Sequence, residues 1–262
     1  GSGNNGFYSP VGVCVEPGFD GHVYVADMYN HRVQVLTKEG AYVRTLGVTG
    51  QGGAGNDQFS KPHGVCVEPG PDGRVYVADA DNHRVQVLAK DGTHVRTLGT
   101  TGHWGSGNHT YAIAEESTGA IWAGGIGGSA RYENGAWQRY RLTNTGMLDF
   151  FTEDIALSPT GDIAMTATAG PGTGGFDILH PDGTWTNANI ATYGLGLPWP
   201  YPTDNTSALA YRDNGNLLFA PTNNGLREYD GPSSFIDRIT DAYGIEHIAI
   251  AESCIASKSS RK

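Results

Sequence analysis

The chain has 262 residues, with 17 Lys or Arg against 27 Asp or Glu, and a formal net charge of -10. The length suits one large all-β core. The acidic balance opposes a nucleic-acid or anionic-membrane partner, since binding phosphate needs concentrated positive charge. No apolar run approaches the roughly 18–20 residues of a membrane-spanning helix.

Gly1-Ser2-Gly3 reads as an appended cloning remnant, so a single domain is expected over 4–262, opening with a polar lead-in at Asn4–Pro10. The stretch Val11–Gly47 follows, and it returns 52 positions later as His63–Gly99, with roughly three quarters of the aligned residues identical. A period of this size marks a repeat architecture. Within the first copy, strands are predicted at Gly12–Glu16, Val23–Asp27, Arg32–Leu36 and Tyr42–Leu46, with turns at Pro17–Gly21 and Lys38–Gly40. The first two strands are apolar at nearly every position, as strands covered on both faces are. Four short strands per repeat of this length are the pattern of a β-propeller blade.

The plan persists while the sequence diverges. A third blade is read over 110–142, a fourth over 153–191 with an enlarged connection at Ala169–Gly175, and a fifth over 206–240. His247–Ser253 then repeats the first-strand pattern inside a partial sixth blade, 244–256. The expected fold is an all-β propeller of four-stranded antiparallel blades, five full blades plus a partial sixth. Three readings of that ending stay open. The last strand packs as an extra edge on five blades; a sixth blade is partial or completed by another chain through self-association; or the chain is a fragment or an engineered hybrid. Cys14 and Cys66 occupy one place in two repeats, inside apolar strands, and read as small buried hydrophobes. With Cys254 left over, no disulfide framework is expected.

The segments DMYNHRVQVL, Asp27–Leu36, and DADNHRVQVL, Asp79–Leu88, resemble the NHL repeat, with Asn30-His31 and Asn82-His83 at the motif. The third and fifth blades are similar to the propeller repeats of two-component regulator sensors, and the fourth departs from both. The resemblance implies a propeller that binds protein, RNA or small ligands. A minority of relatives are enzymes, among them peptide-amidating lyases with zinc held by channel histidines. His63, in Pro62-His63-Gly64, matches the place of a zinc ligand there.

His31 and His83 sit beside turns and are expected to fix the hairpin between the second and third strands. Aligning the inner strands on VCVE and AIAE puts Val11, His63, Thr110, Glu153, Thr206 and His247 in one register. His63, Glu153 and His247 are thus the candidate ligands for zinc or calcium; zinc needs about three N or O donors. The leading expectation is no cofactor, the histidines being hydrogen-bonded in a water-filled polar channel, and the metal is the alternative. The long connections, Val48–Pro62, Thr100–Asn108, Thr143–Thr152 and Thr192–Asn205, fall on the face where inner strands begin, and loops on a rigid scaffold gather binding residues. That face is expected to carry Phe59, Trp104, Phe150, Phe151, Trp199 and Tyr201, the proline-stiffened run Leu197–Pro202 presenting the last two. Trp122, Trp137 and Trp185 read as core.

No G-x-S-x-G elbow, P-loop or dinucleotide fingerprint occurs. The leading expectation is a non-catalytic binding or scaffold propeller for a protein or small molecule. The alternatives are a metal-dependent lyase or hydrolase, and a hybrid or truncated propeller without evolved activity.

Overall fold

A computed structural model describes residues 1–4, 6–99, 109–141, 151–167, 175–189, 206–221, 226–229, 231 and 235–239. The described chain is nearly all strand, in five four-stranded antiparallel sheets that are the blades of a β-propeller. The partial blade expected at 244–256 lies outside the described residues.

Two compact units divide at Gly127 and Gly128. The first holds β1 (Pro10–Val15), β2 (His22–Asp27), β3 (Arg32–Thr37), β4 (Tyr42–Gly47), β5 (Pro62–Val67), β6 (Arg74–Asp79), β7 (Arg84–Ala89), β8 (His94–Leu98), β9 (Thr110–Glu115) and β10 (Ile121–Gly125). Its sheets run β1-β2-β3-β4 and β5-β6-β7-β8. The strands predicted for the first repeat are present, each within two residues of its expected start. Tyr24, Ala26, Val33, Val35, Leu46, Phe59, Val75 and Val77 form a common buried cluster between these sheets. Burial of such side chains contributes about 1.5–3 kcal/mol each.

Close approach of the inner strands explains one repeated glycine. A Cβ on Gly12 would lie 2.0 Å from the His63 carbonyl oxygen, and one on Gly64 would lie 2.6 Å from that of Tyr111. The glycine of VGV and HGV therefore lets β1 reach β5, and β5 reach β9, at a spacing no side chain fits.

The second unit holds β11 (Gly128–Glu133), β12 (Ala136–Tyr140), β13 (Ile155–Leu157), β14 (Ile163–Ala167), β15 (Gly175–Leu179), β16 (Trp185–Asn189), β17 (Thr206–Tyr211), β18 (Leu217–Pro221), β19 (Leu226–Tyr229) and β20 (Phe235–Ile239). The sheets β13-β14-β15-β16 and β17-β18-β19-β20 repeat the first unit's order. Phe176 packs on Phe219 and Tyr229 at centroid distances of 5.1 and 5.3 Å in its core. Trp122, in the first unit, is fully buried as expected, whereas Trp137 and Trp185 are half-buried.

Candidate functional site

The site in the first unit is built on two buried carboxylates. Asp27 ends β2, and its Oδ2 accepts hydrogen bonds from Arg32 Nε at 2.8 Å and Asn30 Nδ2 at 2.7 Å. Its Oδ1 accepts from the Tyr8 amide at 2.7 Å. Arg32 then donates to the carbonyls of Ser2, Gly3 and Gly6 at 3.0, 3.0 and 2.8 Å. The second repeat copies this. Asp79 Oδ2 accepts from Arg84 Nε at 2.7 Å and Asn82 at 2.9 Å, and Arg84 reaches the carbonyls of Ala54 and Gly55 at 2.9 and 2.7 Å. Each Asp-x-x-Asn-x-Arg segment therefore clasps the backbone just ahead of its own inner strand. Guanidinium donors saturate carbonyls that would otherwise be orphaned in a loop. Burial raises the Asp79 carboxyl above its ordinary range in spite of these donors.

Residues 1–4 and 6–9 consequently match 53–56 and 58–61 as loops, so the repeat begins about ten residues earlier than Val11 and His63. Residues 1–3, read from sequence as a remnant, take the places of 53–55 in this clasp.

The motif histidines come next. His31 and His83 adopt left-handed φ values of 54° and 55° after a single 3-10 turn, which closes the hairpin as expected. They also reach the following inner strand. His31 Nδ1 accepts from the Lys61 amide at 3.2 Å. His83 meets the ring of His109, the residue equivalent to Lys61, edge-on at 5.3 Å.

Around these contacts the start of the inner strands gathers a continuous group of rings. His109 stacks on Tyr111 at 5.8 Å and 18°, and His63 meets Tyr111 edge-on at 4.7 Å. Asp81 bridges Lys61 Nζ, at 2.8 Å, and His109 Nδ1, at 3.3 Å. That carboxylate holds the Lys61 ammonium above its usual range, and Tyr29 and Tyr111 lie close enough to act in the same direction. Tyr8 and Tyr29 pair at 5.0 Å and remain 59% and 46% exposed. Partly exposed tyrosines on a fixed backbone offer contact area at low entropic cost.

Not all sequence expectations meet here. His63 lies in this group, half-buried. Glu153 belongs to the second unit, where its amide donates to Thr166 Oγ1 at 2.7 Å. His247 lies outside the described residues. No group of three or more His, Cys, Asp or Glu side chains among the described residues could hold a metal ion. Of the expected binding aromatics, Trp104, Phe150, Trp199 and Tyr201 fall outside the described residues, and Phe151 is half-buried in the second unit. Phe59 corrects its expectation: it is 1% exposed, a core residue lodged where a Cβ on Gly47 would come within 2.6 Å of its ring.

The register also needs correcting at two blades. Pro10 pairs with Asp27, Pro62 with Asp79, Thr110 with Gly125 and Thr206 with Pro221. The residues equivalent to Val11 and His63 are therefore Tyr111 and Ser207, not Thr110 and Thr206. In the third blade the slip comes from the double glutamate Glu115-Glu116, of which the second makes the turn contact. That shift hid Tyr111, the ring on which His63 and His109 converge.

A model of the NHL repeat matches residues 7–36 and 59–88, and the chain carries two NHL repeats. Both matches begin at the phenylalanine inside the clasped loop. NHL repeat-containing protein 2 of Gallus gallus is 41% identical over 73 residues, 25% of this chain and 10% of that protein. Peptidylglycine alpha-amidating monooxygenase of Rattus norvegicus is 37% identical over 93 residues, 35% of this chain and 9% of the enzyme. The chain thus spans about a tenth of the length of these curated relatives. Among solved structures, a gluconolactonase from Xanthomonas campestris aligns with a TM-score of 0.66 at 15% identity, over 93% of this chain and 80% of that one. At that identity the likeness is one of fold.

Proposed function

We propose that this chain is a non-catalytic binding propeller whose contact surface is the face where its inner strands begin. One observation carries the reading: in the first unit that face brings His63, His109 and Tyr111 together beside the Lys61–Asp81 pair and also exposes the Tyr8–Tyr29 pair. The backbone beneath them is held by two arginine clasps, so little ordering remains to be done on binding. Recognition there works through ring contact and hydrogen bonding, which suits a small molecule or a peptide. The net charge of -10 disfavours a polyanion such as RNA.

The test is a ligand-observed NMR screen of a fragment library against the wild type and a Tyr29→Ala/Tyr111→Ala variant, with thermal midpoints as the folding control. The reading expects hits on the wild type that the variant loses, with each fragment recovered unchanged. Hits retained by the variant, or fragments converted to product, would overturn it.

The likeness to the rat amidating enzyme favours a second reading, a metal-dependent lyase or hydrolase in which His63 supplies a metal ligand. Metal analysis after zinc or calcium loading tests it: stoichiometric metal lost in His63→Ala supports this reading, and no retained metal removes it.

A further inference from the structure

The first blade leaves open a face that its copy keeps covered. Val13 pairs with Val25, Val15 with Val23, and Val23 in turn with Leu36. Residues directly opposite each other share a sheet face, so these five aliphatic side chains lie on one side of β1-β2-β3. Their counterparts 52 positions on are Val65, Val67, Val75, Val77 and Leu88, all buried in the cluster shared with the first blade. Val65 and Val67 are 6% and 8% exposed, whereas Val13 and Val15 are 38% and 44% exposed. Val23, Val25 and Leu36 are half-buried where their counterparts are closed off. A lone exposed valine means little, but a contiguous apolar patch on one sheet face marks a contact surface.

The covered copy shows what such a face receives. Three residues of the first blade engage the second. A Cβ on Gly12 would meet the His63 carbonyl oxygen at 2.0 Å, so bare backbone is needed there. Arg44 donates through Nη1 to the Lys90 carbonyl at 2.9 Å. Glu16 accepts from the Lys90 ammonium, which also donates to the Gly70 carbonyl. Lys38 is the counterpart of Lys90. It repeats the bond to the turn by donating to the Gly18 carbonyl, but among the described residues it has no carboxylate partner. The open face is therefore apolar at its centre, with an ammonium at its rim that lacks the acid its copy has.

We propose that this face is a docking surface for one further NHL-type blade, carried by a partner chain, with a glycine, an arginine and an inner-strand glutamate in the places of Gly12, Arg44 and Glu16. The aliphatic side chains of the two sheets interdigitate, as they do between the first and second blades. The partner's glutamate meets Lys38 at the rim, and that charge pair sets the register of the incoming blade. A second copy of this chain is the poorer fit. Its Gly12 is already engaged with β5 and its Gly64 with β9, so neither of its NHL blades has the required side to offer.

The test supplies such a blade at high effective concentration. An added copy of residues 1–52 is joined directly ahead of Gly1 of the full chain, so that the 52-residue period continues, and the unextended chain is the reference. Methyl NMR with a soluble gadolinium chelate reads the exposure of the full chain's own Val13 and Val15. Their signals are expected to broaden strongly in the unextended chain, and several-fold less in the extended one. Glu16→Lys in the added copy should restore the broadening, and Lys38→Glu in the full chain should then recover the protection. That recovery separates loss of the charge pair from a misfolded added blade. Equal broadening with and without the added blade would overturn the docking surface, and so would methyls already shielded in the unextended chain. A dimer of the unextended chain that Val15→Asp dissociates would give the face to a second copy and overturn the proposal as well.

Discussion

The Leu209 amide donates to Asp154 Oδ2 at 2.8 Å, joining the inner strand β17 to the segment that opens β13. Asp154 occupies the place of Gly12 and Gly64, where the first unit needs bare backbone contact. The second unit spans the equivalent gap with a carboxylate instead.

Burial pushes Asp154 up to about 7, against the pull of the Leu209 and Ile155 amides. Its folded value exceeds the unfolded one, so its stabilisation is greatest in acid and declines as pH rises towards 7. The loss amounts to at most about 4 kcal/mol, less where water reaches the half-buried side chain. Urea midpoints measured from pH 4.5 to 8 are expected to fall, and Asp154→Asn should remove part of that slope. Burial pushes the Glu115 carboxyl up to about 7 as well, so the Asp154→Asn/Glu115→Gln double variant should flatten the curve further.

Arg84 and Asp79 are both buried, and their pair anchors the loop at 53–58. Arg84→Ala leaves a buried carboxylate and several loop carbonyls without donors. It should cost about 3–5 kcal/mol in chemical denaturation. Arg84→Lys should recover only a fraction, since one ammonium cannot reproduce the planar fork.

Gly12→Ala should be far more costly than Gly18→Ala. The first places a Cβ 2.0 Å from a neighbouring backbone oxygen, and the second, at φ +93°, meets nothing within 4 Å. Thermal unfolding should register about 3 kcal/mol or more for Gly12 and about 1–2 kcal/mol for Gly18. Equal losses would show that β1 and β5 do not approach as described.

Much of the architecture was legible because the twin segments Val11–Gly47 and His63–Gly99 expose their own strand boundaries. Hydrophobic runs such as VYVAD and RVQVL needed little else. The site was less legible. Arg32 and Arg84 look like ordinary polar positions of an alternating strand, and only coordinates reveal that each grips a loop some thirty residues upstream. Phe59 looked like a surface ring because it follows a glycine-rich loop, yet Gly47 leaves the space that buries it. Tyr111 was displaced by one position because Glu115 and Glu116 are indistinguishable in a string. Their roles separate once the Glu116 amide is seen donating to the Ala120 carbonyl and Glu115 is seen paired with Ile121 within the strands.

The central claim is that ligand meets this chain on the ring-bearing start of the inner strands. Its most direct measurement is backbone amide shift mapping of nitrogen-15-labelled protein during titration with the fragment hits. The account predicts shifts concentrated at Tyr8, Tyr29, Lys61, His63, His109 and Tyr111. Saturable shifts confined to other parts of the chain, with these six residues unmoved, would contradict it.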